Sequence, residues 1–148
     1  MSRLLVIANP YSGNSRKRFD PARARQLLSE QGHEVAIHLT TGPHDATAAA
    51  ARAADDYDLV VAMGGDGTVH EVAAGLSGTG CSMAVIPSGS GNDFATGIGC
   101  PTVDKALDTI ASGQDLPVDA CALDGEKFFN SLGLLASGLV SGGAAEMW

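Results

Sequence analysis

Apolar residues in this chain come in short runs, and the stretches between them alternate between helix-like and turn-like patterns. Residues 4–8, 35–39, 59–63 and 83–86 are brief, mostly apolar segments, and three of them run directly into Asn9, Gly64 or Pro87. Runs of that length with those flanks read as buried strands. The segments between them carry helix signals. Asp20 is placed to cap a helix with Pro21 at its first position, ending near Gly32. Asp45 opens an alanine-rich helix to about Asp55, and a third helix runs from Val69 to about Leu76. Thr102 caps a helix over 103–111 that Gly113 closes. Residues 116–123 and 127–135 read as a hairpin turned at Asp124-Gly125. Strand and helix alternate up to about residue 112. That order predicts a three-layer α/β/α domain with a mostly parallel sheet.

In such a sheet, ligands bind beyond the carboxyl ends of the strands. Three expected strands end in loops rich in Gly, Ser and Asn: 9–15, 64–68 and 87–93. The middle one carries the strongest signal. The apolar run ending at Met63 breaks into Gly64-Gly65-Asp66-Gly67-Thr68 before a helical pattern begins. Glycines there let the backbone approach a ligand, and a helix N-terminus presents unpaired N–H groups that suit a phosphate. Asp66 cannot take a phosphate by charge. Its chemical roles are to hold a Mg²⁺ ion that accompanies phosphates, directly or through water, or to accept a proton from an attacking hydroxyl. Each loop alone reads as a turn or a cap; their recurrence at successive strand ends is the informative feature. No GxxxxGK[ST] motif is present, and no GxGxxG follows the first strand, which excludes a P-loop protein and argues against a dinucleotide-binding dehydrogenase.

Composition narrows the picture further. A chain of 148 residues fits one domain with a real core. The net charge of −8 argues against nucleic acid as a partner. Five basic residues nevertheless cluster at Arg16, Lys17, Arg18, Arg23 and Arg25, which reads as a solvated face or as a local patch for phosphates or an anionic membrane. Cys81, Cys100 and Cys121 form no CxxC pair, and His33, His38, His44 and His70 lack metal-ligand spacing. Reduced cysteines and the lack of a signal peptide point to a cytoplasmic protein. No apolar run is long enough to span a bilayer. Residues 131–145 carry no charge and are dominated by Gly and small apolar side chains, a pattern expected of a strand that packs on something further.

Three segments together resemble the diacylglycerol kinase catalytic-domain family, which includes sphingosine kinases and bacterial lipid kinases. They are Asn9-Pro10-Tyr11-Ser12-Gly13, Gly64 to Val72, and Pro87-Ser88-Gly89-Ser90-Gly91-Asn92-Asp93-Phe94-Ala95, with Thr40 and Asp45-Ala46 fitting the loop after the second strand. The resemblance covers about residues 3–140. It implies a phosphofructokinase-like N-terminal domain that binds ATP with Mg²⁺ across these loops. On that reading Asn9, Ser12, Gly13, Thr40, Gly64, Gly65, Asp66, Gly67, Thr68, Val69, His70, Ser88, Gly89, Ser90 and Asn92 line the nucleotide. Asp66 is the expected catalytic and metal residue, acting on Mg²⁺ or as the base toward a lipid hydroxyl.

The resemblance further implies ATP-dependent phosphorylation of a diacylglycerol- or sphingoid-type lipid, with this chain supplying the ATP-binding half. The partners it implies are a nucleotide and a lipid at a membrane surface approached from the cytoplasm. A second β-rich domain is expected to begin within 116–148, and the uncharged tail points to that missing domain or to a homo-oligomer. Leu135 stands where the family carries an aspartate that contacts the acceptor hydroxyl. Two other readings follow from the same residues: a non-catalytic nucleotide-binding module, which Leu135 favours, and an NAD kinase, which shares Gly-Gly-Asp-Gly-Thr. The Asn92-Asp93 pair inside Ser-Gly-Ser-Gly favours the lipid group.

Overall fold

A computed structural model describes residues 1–13, 19–123 and 126–129. Four strands, β1 (Arg3–Ala8), β2 (Glu34–Leu39), β3 (Leu59–Gly64) and β4 (Ser82–Pro87), form one sheet in the order β2-β1-β3-β4, and every pairing is parallel. Helices α1 (Pro21–Glu30), α2 (Asp45–Ala53), α3 (Asp66–Leu76) and α5 (Val103–Ser112) connect or follow them, with a short α4 (Asp93–Gly97) between β4 and α5.

The period-2 alternation of a strand sends successive side chains to opposite faces, and here both faces are covered. Leu5, Ile7, Val60, Ala62 and Val85 pack against the alanine face of α2 and against Val69, Val72 and Leu76 of α3. Leu4, Val6, Val61, Met63 and Ile86 pack the other way, onto Ala24 and Leu28 of α1 and Ala106, Leu107 and Ile110 of α5. β1 from Leu4 onward and β3 are therefore apolar, as central strands buried on both sides must be. Each fully buried aliphatic side chain contributes about 1.5–3 kcal/mol. The three-layer architecture is the one expected.

Local capping agrees with the sequence at two helices. Asp20 accepts from the Ala22 N–H with Pro21 behind it, and Thr102 accepts from the Lys105 N–H while Gly113, at φ 63, ends α5. Other boundaries differ. α2 stops at Ala53 because the Asp56 and Tyr57 N–H groups both turn onto the Ala53 carbonyl. α3 begins at Asp66, three residues before its expected start. Gly65 is its extended N-cap, and Val69 N–H already bonds the Gly65 carbonyl at 3.1 Å. α4 has no periodic signal, being only five residues long. The expected hairpin is shorter: β5 (Cys121–Leu123) pairs antiparallel with β6 (Glu126–Phe128) in a separate two-stranded sheet. Residues 116–120 run exposed and outside any strand. The expected turn at 124–125 and residues 130–148, Leu135 among them, lie outside the described residues.

The chain passes from β1 outward to β2, then crosses back to β3 on the other side of β1. That reversal opens a crevice beyond the carboxyl ends of β1 and β3, where doubly wound sheets bind their ligands.

Candidate functional site at the strand switch point

Three loops leave the sheet at this crevice and touch. Asn9 continues β1, donating its N–H to the Met63 carbonyl at 3.1 Å, and its Oδ1 accepts from the Tyr11 N–H at 2.8 Å. Ser12 donates its hydroxyl to the Asn9 carbonyl at 3.1 Å, and its Oγ sits 3.4 Å from Ser88 Oγ in the loop after β4. Ser88 N–H in turn reaches the Gly64 carbonyl at 3.0 Å.

Glycines make this contact physically available. Gly13 has φ +71, and a Cβ there would run into the Ser88 carbonyl. A Cβ on Gly89 would collide with the backbone of Gly65, and one on Gly65 would lie 3.2 Å from Gly89 Cα. Gly64 is buried over the Thr68 side chain, which leaves no room for a larger residue. Backbone therefore meets backbone at the centre of the site.

The N-terminus of α3 opens onto this crevice. Its cap, Gly65, brings no side chain, and Val69 supplies the first N–H bonded within the helix. The N–H groups of Gly67 and Thr68 thus precede the helical ladder, at the end of a helix that favours an anion. Asp66 would repel that anion if its carboxylate pointed the same way. Instead its Oδ1 accepts from Phe94 N–H at 2.9 Å and its Oδ2 from Asp93 N–H at 3.1 Å. Asp66 caps α4 from outside, because Asn92, the residue before α4, uses its own side chain elsewhere. Asn92 Oδ1 accepts from Gly89 N–H and Nδ2 donates to the Gly89 carbonyl, both at 2.9 Å, which closes loop 88–92 on itself. The backbone at Asn92 is left-handed, φ 59.

The remaining expected residues fall at varied distances from this centre. Thr40 is buried just past β2, its N–H bonded to the Ala8 carbonyl at 2.9 Å. Ser90 is exposed at the tip of its loop. Val69 has its side chain in the core. His70 is exposed and meets Phe129 edge-on, with ring centroids 5.9 Å apart. Loop 40–45 is ordered by Asp45, whose Oδ2 accepts from the Thr41 N–H at 2.8 Å and hydroxyl at 3.0 Å. His38 Nε2 lies 3.2 Å from the same oxygen, off the angle of a good hydrogen bond. The Thr41 N–H is the main cause that holds the Asp45 carboxyl below its ordinary value; desolvation opposes it, and the Thr41 hydroxyl and His38 add to it.

An apolar groove of about 340 Å³ runs along the open edge of β4 past Met83, Ile98, Ile110 and Phe129. Among the described residues it lies on the flank of the sheet, lined by β4, α5 and the segment after α5.

The chain matches the diacylglycerol kinase catalytic domain over residues 3–123. It belongs to that family. A diacylglycerol kinase from Bacillus subtilis (strain 168) is 40% identical over 138 residues, which cover 90% of this chain and 46% of the relative. One from Staphylococcus aureus (strain MRSA252) is 34% identical over 132 residues, covering 86% and 42%. The crystal structure of a diacylglycerol kinase from Bacillus anthracis strain Sterne superposes with a TM-score of 0.72 at 30% identity, over 85% of this chain and 45% of that one. The chain spans about half the length of the curated relatives it matches.

Within this kinase-family domain, sequence reasoning passed over two contributors. Glu71 accepts from the His44 and Ala46 N–H groups at 3.1 and 3.2 Å, capping α2 from α3. The Asp93 and Phe94 N–H groups engage Asp66. At α2 a usable signal was His44, a poor capping residue, directly before the helix; at α4 the favoured capping residue Asn92 stands in that position and hid the role of Asp66.

Proposed function

We propose that this chain is the nucleotide-binding half of an ATP-dependent lipid kinase, transferring the γ-phosphoryl group to a hydroxyl of a diacylglycerol- or sphingoid-type lipid. The observation that carries this reading is the convergence of loops 9–13, 64–68 and 88–92 around the open N-terminus of α3, with their glycine backbones in contact. A phosphate chain fits such a cradle, because any side chain at Gly65 or Gly89 would close it and the Gly67 and Thr68 N–H groups point along the favourable end of a helix dipole. The relatives named diacylglycerol kinase support the lipid class of the acceptor.

Mg²⁺ fits the acidic side of the same cradle. Asp66 and Asp93 both flank Gly91, and the Asp66 carboxylate is held by the Asp93 and Phe94 N–H groups. Among the described residues no cluster of three His, Cys, Asp or Glu side chains forms a closed cage. Mg²⁺ takes one or two carboxylates and completes its shell with water and phosphate oxygens, so Asp66 and Asp93 are the candidates to hold it. When bound, the ion neutralises charge on the phosphates. Asp66 either holds it through water or accepts the proton of the attacking hydroxyl, and the Asp93 and Phe94 N–H groups fix its carboxylate for either role. The rest of the site works by positioning: Ser12 and Ser88 bridge two loops, and Asn92 rigidifies the third.

The lipid reaches this half-site from a membrane surface, with the protein peripheral to it; among the described residues no helix is long and apolar enough to cross a membrane. The test is phosphate transfer from ATP to diacylglycerol, to a sphingoid base and to NAD, each offered separately in mixed micelles or buffer. Transfer to a lipid hydroxyl that Asp66→Asn abolishes supports the reading. Transfer to NAD alone would replace it.

A further inference from the structure

α3 holds two neighbouring helices by the same device. Asp66 caps α4, and five residues on, Glu71 caps α2 with both carboxylate oxygens, taking the N–H groups of His44 and Ala46. Each capped helix is preceded by a non-glycine residue in left-handed backbone, His44 at φ 62 and Asn92 at φ 59, and neither caps its own helix. Such a conformation persists in a non-glycine residue only where its surroundings over-determine it. At His44 the surroundings are Glu71 on one side and, on the other, Asp45 clamped to Thr41. Gly75, four residues after Glu71 and so on the same face of α3, packs against α2 so closely that a Cβ there would strike the Thr47 carbonyl. α2 and α3 are thereby locked in register along that face.

We propose that Glu71 is a positioning residue of the nucleotide site: by capping α2 it sets loop 40–45, with Thr40 at its start, against the glycine loop at the head of α3. The inference rests on the nucleotide reading given above and adds a residue whose carboxylate acts through the loop. Thr40 is fixed to β1 by its own N–H, whereas residues 41–45 depend on Asp45 and Glu71 for their place. Glutamine at 71 keeps the shape and one accepting oxygen but turns an NH₂ group toward the second N–H. The loop then loses one of its two fixed points.

The experiment compares wild type, Glu71→Gln and Asp45→Asn by calorimetric titration with Mg-ATP and by amide hydrogen exchange over residues 41–47. The second variant loosens the same loop from its other side and keeps the test open if Glu71→Gln folds poorly. Expected is about tenfold weaker ATP binding in both variants, together with faster exchange confined to 41–47. Unchanged affinity in Glu71→Gln would overturn the proposal. Weaker binding with unchanged exchange would also overturn it, since Glu71 would then act on the nucleotide directly. If wild type itself fails to bind while Glu71→Gln still frees the loop, the nucleotide reading falls and takes the positioning role with it, and the exchange data identify which of the two failed.

Discussion

The two ends of the sheet use glycine for different reasons. At the carboxyl end, Gly13, Gly64, Gly65 and Gly89 are hemmed in, and an added Cβ would meet backbone or a side chain of another part of the site. At the amino end, where helices return to strands, Gly32, Gly78 and Gly80 face open space, with nothing within 4 Å of an added Cβ. Gly78 turns the chain through φ +84, a conformation that most side chains disfavour. Close approach accounts for the hemmed-in glycines of the carboxyl end, Gly13 also standing at φ +71, chain direction accounts for Gly32 and Gly78, and Gly80 and the carboxyl-end Gly42 are held to glycine by neither. Close approach has no use in a solvent-facing turn; it is what a bound phosphate chain requires.

Substitutions can break this contrast in order of severity. Asp66→Asn should reduce phosphate transfer by about a hundredfold or more, the range for loss of a general acid–base or metal-holding group. It should also cost about 1 kcal/mol of stability, because an amide cannot accept both the Asp93 and Phe94 N–H groups. Activity assays with parallel thermal melts separate the two effects. Gly89→Ala should cost about 1–3 kcal/mol by pushing loop 88–92 off Gly65, and weaken ATP binding as the loops part. Gly65→Asp should abolish ATP binding by the same parting plus a repulsive charge, with a melt showing a folded protein.

Gly78→Ala belongs to the other class. It should cost about 1 kcal/mol from left-handed strain and leave ATP affinity unchanged. Gly80→Ala, with open space and no positive φ, should stay within about 0.5 kcal/mol of wild type. If Gly78→Ala and Gly89→Ala affected binding equally, the contrast between the two ends would be lost.

The Asp45 clamp adds a pH dependence. Its carboxyl is held below the ordinary 3.8, chiefly by the Thr41 N–H. A folded-state pKa below the unfolded one gives stability that is complete above 3.8 and is lost as pH falls through the depressed value. Asp45→Asn should therefore flatten part of the acid side of a stability–pH profile measured by thermal melts.

What the sequence revealed follows the range of the interactions involved. Asp20 with Pro21, and Thr102 with Gly113, bond within a few residues of themselves, so the ends of α1 and α5 were readable from local pattern. The buried strands were readable because central parallel strands must be apolar on both faces. The start of α3 was hidden because Gly67 and Thr68 are weak helix formers that read as loop, and the caps of α2 and α4 come from residues 25 to 28 positions away. The three strand-end loops were legible as a set because each is rich in Gly, Ser and Asn, but which glycines touch depends on strand order. The Asn92 carboxamide closes its own loop on Gly89, a contact that sequence spacing does not reveal.

The central claim is that the switch-point loops form a working phosphate cradle. Calorimetric titration of the protein with ATP, in the presence and absence of Mg²⁺, tests it most directly. Saturable one-to-one binding that tightens with Mg²⁺ and disappears in Gly65→Asp is the predicted result. Absence of saturable binding in the wild-type protein under both conditions would contradict it.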